Sequence, residues 1–320
     1  MTVRIIVGDC RNTLRDLPNG SVHSVVTSPP YFGLRDYDAD GQIGLEKSPE
    51  DFVFELVSVF REVRRVLRDD GTVWLNLGDS YNGTGSRVAN TRDNGTFSFR
   101  GGHPGVNVAG LKPKDLIGIP WMVAFALRND GWFLRQEIIW HKPNPMPESV
   151  GDRCTKAHEQ IFLLSKSSRY YFDAEAIEED ATSSDRGPNY EGRGQRALAR
   201  KRGTPPRHSK YASSDQSGLD AVGRGGKRNK RSVWTVATKP FRGAHFATFP
   251  PELIAPCILA GTPPGGVVLD PFGGAGTTGL VADSLRRNAV LLEVNPGYAE
   301  IARERIGGAF GLGVRQEAAE

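Results

Sequence analysis

The sequence has no apolar run that approaches about 18 residues, which excludes a hydrophobic helix long enough to cross a membrane. Cysteine is scarce as well, and the three residues lie far apart: Cys10, Cys154 and Cys257. An odd number of widely spaced cysteines excludes a disulfide framework and supplies no CxxC pair for a zinc site. The amino-terminal stretch turns polar within its first dozen residues, so we expect no signal peptide and a reducing, cytoplasmic location.

Apolar residues are also sparse, at 38% of the 320 positions. Globular chains have roughly 45 to 50% when glycine is counted with the apolar types. Glycine (38 residues) and proline (21 residues) make up much of the difference, so long loops around an ordinary core are expected. The length alone allows one large domain or two modest ones.

The net charge of +4 is unevenly distributed along the chain. Residues 184–231 contain 13 basic and 4 acidic side chains, a local charge of +9, which leaves −5 for the rest. A run of like charge is usually a solvated or disordered segment. It is also what binding to nucleic-acid phosphates requires.

Short apolar runs predict strands, and apolar residues at helical spacing predict helices between them. The predicted strands are 4–7, 24–27, 72–77, 133–140, 160–164, 267–269 and 289–293. The predicted helices run from Ser48-Pro49 to Asp70-Gly71, and over 117–128, 251–259, 277–287 and 296–306. This alternation predicts an α/β fold with a mostly parallel sheet. A long loop over 82–110 and a polar insert over 181–231 interrupt it, and the tail from Gly307 is expected to fray.

A glycine-rich turn follows the predicted strand at 267–269, with the sequence Asp270-Pro-Phe-Gly-Gly-Ala-Gly276-Thr-Thr. A helix begins directly after it, and the next strand ends about twenty residues later at Glu293. Glycines let a ligand approach the backbone, and a carboxylate at that strand end can accept hydrogen bonds from ribose hydroxyls. A tight turn without a ligand is the alternative, but the order of turn, helix, strand and acid favours a nucleotide-like cofactor.

A second turn, Ser28-Pro29-Pro30-Tyr31, follows the predicted strand at 24–27. Alone, the tetrapeptide would be interpreted as a rigid proline turn that ends a strand. Its place at the carboxyl end of a strand, in a chain that also has the cofactor turn, favours a catalytic function.

The two turns together resemble those of the S-adenosylmethionine-dependent DNA amino-methyltransferases. In that family the catalytic motif is Asp, Asn or Ser followed by Pro-Pro and an aromatic residue, which Ser28 to Tyr31 match. The glycine turn resembles the family's cofactor motif, and its place after the catalytic motif resembles the permuted β group. The resemblance covers about 3–177 and 233–306. It implies a Rossmann-like class I methyltransferase sheet, mostly parallel with one antiparallel strand, and a target-recognition insert.

The resemblance also implies roles for individual residues. The catalytic residues would be Ser28, Pro29, Pro30 and Tyr31. The residues that bind S-adenosylmethionine would be Asp9, Thr27, Phe249, Pro250, Asp270, Pro271, Phe272, Gly274, Gly276, Thr277, Thr278 and Glu293. The pocket for the target base would include Trp140, Lys142 and Asn144. No metal is expected, because His158-Glu159 and the scattered histidines lack ligand spacing.

Three of these assignments have structural alternatives, and one further motif has to be weighed. Asp9 contacts the cofactor or caps a strand end, and Asp270 binds the cofactor or braces the glycine turn. Trp140 lines the base pocket or belongs to the core. Pro256-Cys257 matches the nucleophile dipeptide of cytosine C5-methyltransferases, but it lies among apolar residues at helical spacing, so Cys257 is interpreted as a core residue. Asp79 and Tyr81 are expected to support the site from behind.

The implied reaction is a direct in-line methyl transfer to an exocyclic amine of a base flipped out of duplex DNA. Ser28 Oγ and the Pro29 carbonyl would accept the amine hydrogens, and Tyr31 would stack on the base. In the family, serine at the first position usually accompanies cytosine N4, whereas aspartate or asparagine accompanies adenine N6. The resemblance therefore favours cytosine N4, with adenine N6 as the alternative. A further alternative is an RNA or protein-glutamine methyltransferase.

The predicted organisation is a catalytic half at 1–177, a basic target-recognition insert at 178–232, a cofactor-binding half at 233–306 and a flexible tail at 307–320. The basic residues expected to bind DNA are Arg193, Arg196, Arg200, Lys201, Arg202, Arg224, Lys227 and Arg228. Double-stranded DNA is the expected partner, with a cognate restriction endonuclease acting on the same site. A homodimer is compatible with the resemblance.

Overall fold

The computed structural model describes residues 1–34, 39, 41–83, 108–181, 227–239, 248–310 and 315–318. The chain divides into two units, one comprising Met1–Asp173 with Ser232–Glu320 and the other Ala174–Arg231. Within the described residues, no helix is long and apolar enough to cross a membrane.

The larger unit is built on one sheet, to which the described residues contribute nine strands. These strands are β1 (Val3–Val7), β2 (Val22–Thr27), β3 (Leu67–Leu77), β4 (Phe133–His141), β5 (His158–Ser165), β8 (Val233–Thr235), β9 (Val267–Asp270), β10 (Asn288–Glu293) and β11 (Arg315–Ala318). Their order is β11-β1-β10-β9-β2-β3-β5-β4-β8. Among them β5 runs antiparallel to both neighbours and the other pairs are parallel. This confirms the predicted fold class.

The helices are α1 (Cys10–Thr13), α2 (Pro49–Val66), α3 (Ile119–Asn129), α4 (Pro251–Gly261), α5 (Thr277–Ser284) and α6 (Pro296–Phe310). The start of α2 follows the sequence signal, because Ser48 Oγ accepts a hydrogen bond from Asp51 N at 3.1 Å and Pro49 opens the helix. A 3₁₀ turn, Leu14–Asp16, follows α1.

Helices cover both faces of the sheet centre. Val25 and Val73 belong to the buried cluster that includes the apolar face of α2. Their chain neighbours Ser24 and Trp74 lie on the opposite face, where Gly261 of α4 approaches them so closely that a Cβ would contact both. Parallel sheets buried on both faces are typical of α/β folds.

Several predicted boundaries differ from those observed by a few residues, and among the helices two ends differ most. The first helix ends at Val66, short of Asp70-Gly71, because Leu67 is fully buried in β3 and pairs with Val22. Burying an apolar side chain in the sheet outweighs the weaker stop signal at the glycine. At the carboxyl end, α6 continues to Phe310, and β11 then pairs in parallel with β1, where the sequence predicts a frayed tail.

The smaller unit is described at its two ends. Glu175–Ile177 forms a 3₁₀ turn, and β6 (Glu179–Asp180) pairs antiparallel with β7 (Lys227–Arg228). Lys227 Nζ lies 2.5 Å from Asp180 Oδ1, so an ion pair supports this short ladder.

Candidate functional site

The two predicted turns are adjacent because β2 and β9 are neighbours at the centre of the sheet. Val25 pairs with Leu269, so both strands deliver their carboxyl ends to the same edge. The contact is direct: Thr27 Oγ1 donates a hydrogen bond to Asp270 Oδ1 at 2.6 Å. Residues 243 positions apart thus connect the two motifs.

Asp270 braces the glycine turn. Its carboxylate also accepts hydrogen bonds from Thr278 Oγ1 at 2.6 Å and from the Phe272 amide at 3.1 Å. The residue is 2% exposed, and burial raises its pKa to about 6 despite these three donors. Of the two roles considered for Asp270, the observed contacts are those of a brace.

The glycines of the turn meet two steric demands. Gly274 and Gly276 have φ angles of +50° and +78°, in the left-handed region that favours glycine. At Gly276 an added Cβ would also lie 2.8 Å from Ala302 Cβ on α6. The turn therefore reaches the first residue of α5 without displacing α6.

Glu293 ends β10 beside the glycine turn, as the sequence predicts. Its two carboxylate oxygens accept hydrogen bonds from Gly274 N at 2.7 Å and Asn295 N at 2.9 Å. Each oxygen has two lone pairs, so these bonds leave capacity to accept ligand hydroxyls. Burial raises the pKa of this carboxyl above its ordinary value.

Both turns line one cavity of about 370 Å³. Its wall contains fourteen of the predicted site residues, namely Asp9, Ser28, Pro29, Pro30, Tyr31, Trp140, Lys142, Phe249, Asp270, Pro271, Phe272, Gly274, Thr277 and Glu293. Five others lie outside that wall: Thr27, Asn144, Pro250, Gly276 and Thr278. Of these, Thr27 and Thr278 act through Asp270, whereas Asn144 exchanges hydrogen bonds with the Thr238 backbone at 2.9 and 3.1 Å.

Asp9 lies at the cavity wall and is the N-cap of a helix, whereas the sequence offered a strand-end cap, and its contact with the cofactor stays a prediction. It lines the cavity and it also caps α1, because its carboxylate accepts a hydrogen bond from the Arg11 amide at 2.8 Å. The Arg11 guanidinium lies 2.6 Å from Asp9 Oδ2 and 2.9 Å from Glu55 Oε2. Arg11 thus fixes the Asp9 carboxylate at the cavity wall.

Tyr31 is anchored by a polar cluster that the sequence did not predict, formed by Tyr31, Asn76, Lys142 and Glu159. Tyr31 OH donates to Glu159 Oε2 at 2.7 Å, and Asn76 Nδ2 donates to the same oxygen at 3.1 Å. Lys142 Nζ donates to Glu159 Oε1. One signal was present in the sequence, because Asn76 interrupts the apolar run of its strand.

Trp140 is at once a core residue and a part of the cavity wall. It is buried, and its indole Nε1 donates to the Val236 carbonyl at 2.8 Å. Lys142 Nζ lies 4.3 Å from the centre of its ring, within the range of a cation–π interaction.

Asp79 holds the start of α3, and its support of the site stays a prediction. Its Oδ1 accepts hydrogen bonds from Gly118 N at 3.0 Å and Ile119 N at 3.1 Å at the start of α3. Tyr81 packs under the Arg153 guanidinium at 3.9 Å.

The predicted DNA-binding residues fall mostly outside the described residues, which include neither Arg193, Arg196, Arg200, Lys201, Arg202 nor Arg224. Lys227 is exposed beside Asp180 and keeps its charge accessible. Arg228 is 8% exposed and lies 3.8 Å from Glu179, so it presents little charge to solvent.

Neither of the two buried cysteines, Cys10 and Cys257, has the setting of a reactive thiolate. Cys257 is 1% exposed, and its thiol points to the Leu253 carbonyl within α4. Cys10 lines the cavity, but burial raises its pKa to about 12, which keeps the thiol protonated. Across the described residues, no cluster of three or more His, Cys, Asp or Glu could hold a metal ion.

Comparison with known proteins identifies the family to which these two turns belong. The sequence profile of the DNA methylases matches residues 22–304. The chain belongs to this DNA methylase family. The methylase is 48% identical to Type II methyltransferase M.Cfr9I of Citrobacter freundii over 94% of its own length and 86% of the relative. It is 46% identical to Type II methyltransferase M.SmaI of Serratia marcescens, over 95% and 90% of the two chains.

Solved structures give the same fold. A Thermus thermophilus protein assigned as a DNA modification methylase, solved in complex with S-adenosyl-L-methionine, matches over the full length of both chains with 25% identity and a TM-score of 0.59. The cytosine-N4-specific PvuII DNA methyltransferase matches over 95% of this chain and 86% of its own with a TM-score of 0.62, and its 19% identity makes this a likeness of fold. Family membership confirms the predicted resemblance and S-adenosylmethionine as the cofactor.

Proposed function

We propose that this methylase transfers a methyl group to the N4 amine of cytosine within a specific sequence of duplex DNA. One observation carries the proposal: Ser28, Pro29 and Tyr31 line the same cavity as the glycine turn and Glu293. An amine-binding turn and a cofactor turn that share one cavity are what a direct transfer requires, because the reacting atoms must be held in contact.

The cavity wall fits S-adenosylmethionine. Glu293 has acceptor capacity for the ribose hydroxyls, and the glycine turn leaves room for the ligand at the start of α5. Phe249 and Phe272 supply apolar surface in the same wall, and Asp9 supplies a further carboxylate. When bound, this cofactor supplies an electrophilic methyl group on a sulfonium.

The chain's own contribution is to activate a poor nucleophile. The lone pair of the cytosine amine is conjugated into the ring, which withdraws it from attack. Ser28 Oγ and the Pro29 carbonyl are two acceptors that would bind the amine hydrogens, and the two prolines hold them in fixed positions. Acceptors placed in this way oppose the conjugation and direct the lone pair outward.

No covalent intermediate with the protein is needed for such a transfer. The buried thiol of Cys257, hydrogen-bonded within its own helix, agrees with this. The target base must leave the helix stack to reach the cavity, and Tyr31, the aromatic residue of the proline turn, would stack against it.

The choice of cytosine N4 depends on Ser28. Serine at this position usually accompanies cytosine in the family, whereas aspartate or asparagine accompanies adenine. Methylation of adenine N6 is the alternative outcome of the test. We also propose that the basic insert contacts DNA phosphates and that a restriction endonuclease acts on the same sequence. The homodimer stays a prediction.

Mass spectrometry of nucleosides tests the proposal. Duplex DNA incubated with the protein and labelled S-adenosylmethionine should yield N4-methylcytosine after digestion. If N6-methyladenine is the only methylated base, the cytosine assignment is refuted. If RNA offered in a parallel reaction becomes labelled and duplex DNA does not, the assignment of DNA as the substrate is refuted. Sequencing the methylated bases of a host that expresses the chain would then give the recognition sequence.

A further inference from the structure

The polar cluster of Tyr31, Asn76, Lys142 and Glu159 lines the cavity but is not explained by cofactor binding or by the acceptors for the amine. At its centre is Glu159, whose side chain is 13% exposed. Its carboxylate accepts hydrogen bonds from donors on three separate elements: the Ser28–Tyr31 turn, β3 and the segment after β4. A convergence of this kind fixes each donor relative to the other two.

The Tyr31 ring is held in a defined orientation. Its hydroxyl is held by Glu159 at 2.7 Å, and its ring edge packs against Gly78, where any Cβ would overlap the ring. A ring held at its hydroxyl and along one edge keeps a single plane. A stacking surface with a single plane orients the base that lies against it.

Lys142 is held in the same wall. Its ammonium donates to Glu159 and lies 4.3 Å from the centre of the Trp140 ring. The ammonium has three hydrogens and Glu159 accepts one, so the group retains donors at the cavity wall. Cytosine and adenine both present ring nitrogen acceptors beside the exocyclic amine, which an ammonium at this place can recognise.

We propose that Glu159 is a positioning residue that holds the ring of Tyr31 and the ammonium of Lys142 in one rigid wall, and that this wall orients the flipped base for transfer. The inference rests on the proposed function. A purely structural role explains the cluster less well, because an ion pair largely withdrawn from solvent contributes little to stability compared with apolar residues of the same volume. The cluster is also located in the cavity wall, whereas a purely structural ion pair would have no reason to be there.

The substitution Glu159→Gln tests this inference in the full-length protein. Glutamine keeps the size of the side chain but turns one acceptor into a donor, so it cannot accept hydrogen bonds from both Lys142 and Tyr31. Steady-state transfer of tritiated methyl groups to duplex DNA should show kcat/KM for DNA reduced roughly 10- to 100-fold, the range for losing a hydrogen bond to a charged group. The Kd for S-adenosylmethionine should be unchanged, because the cluster is separate from Glu293 and the glycine turn.

Glu137→Gln is the matched control, since Glu137 lies on the neighbouring strand β4 and outside the cavity wall. It should leave both constants at wild-type values. Tyr31→Phe provides a second readout. If Glu159 acts through the Tyr31 hydroxyl, the double variant should lose less activity than the product of the two single losses.

The outcomes are distinct. Wild-type kcat/KM in Glu159→Gln, or multiplicative losses in the double variant, would overturn the inference. Equal losses in DNA turnover and cofactor affinity would assign Glu159 a general structural role and also overturn it. A wild-type protein that methylates adenine refutes the cytosine assignment alone, because the comparison of variants measures total methyl transfer.

Discussion

Two glycines precede helices in the same backbone conformation, one of them in the cofactor turn. Comparing alanine substitutions at the two positions measures how much the close contact between the cofactor turn and α6 contributes to the need for glycine there. Gly276 precedes α5 with φ +78°, and Gly118 precedes α3 with φ +88°. Around Gly118 no atom beyond its chain neighbours and its own helix backbone lies within 4 Å of an added Cβ, whereas at Gly276 the Cβ would lie 2.8 Å from Ala302 Cβ. Alanine at either position has the same backbone strain, and only at Gly276 does it also collide with α6.

The expected magnitudes follow from this difference. A left-handed conformation costs a residue with a Cβ about 1 to 2 kcal/mol, so Gly118→Ala should lower the free energy of unfolding by that amount. Overpacking a tight contact costs about 1 to 3 kcal/mol more. Gly276→Ala should therefore be destabilised by about 2 to 5 kcal/mol in total.

Urea unfolding of the two variants and the wild type, followed by circular dichroism, gives the three free energies. A second measurement is the Kd for S-adenosylmethionine, which Gly276→Ala should raise and Gly118→Ala should leave unchanged, because relief of the collision moves the turn away from α6. Equal destabilisation by the two substitutions would refute the steric account of Gly276. An unchanged Kd in a destabilised Gly276→Ala would separate the turn from cofactor binding.

Three further predictions concern single side chains. Ser28→Ala should lower kcat for methyl transfer roughly 100-fold, the size typical of removing one positioned hydrogen-bonding group, with the Kd for S-adenosylmethionine unchanged in calorimetry. Burial raises the pKa of Asp270 from 3.8 to about 6, so the folded protein binds more protons than the unfolded chain between those values. Stability of the wild type relative to Asp270→Asn should thus fall as the pH rises from 4 to 7, and a constant difference between their urea midpoints would contradict this. Cys257→Ala should transfer methyl groups at the wild-type rate while losing about 1 to 2 kcal/mol of stability, as for other small core truncations, and an inactive but folded variant would restore the nucleophile hypothesis.

The parts of the site that could be predicted from sequence are those whose signals are local. Each functional turn follows a short apolar strand directly, and Glu293 follows the glycine turn at the distance of one helix and one strand. The helix start at Ser48-Pro49 was equally local, because the cap and the proline are both within one turn.

The parts that could not be predicted depend on contacts between distant segments. One example is the position of β2 beside β9. The paired residues are more than 240 positions apart in the chain, and no local pattern in the sequence indicates this pairing. Glu159 is recognisable as a site residue only through its partners on three other elements. The helix end at Val66 was missed because burial of Leu67 in the sheet competes with a local stop signal.

The strand order has a consequence for how the protein is made. β1 and β2 are the first strands to leave the ribosome, yet in the sheet β10 and β9 lie between them. One edge of β2 stays open until residue 270 has been synthesised, and β1 lacks its neighbour β10 until residue 293, which leaves apolar strands exposed for most of translation. Pairing of β10 with β1 is expected to be slow, because it joins segments as distant in the chain as Val3 and Ala289. The strand order also means that a nascent chain that stops before residue 270 has no cofactor turn beside Ser28, so cellular DNA meets this activity only after translation has passed that turn.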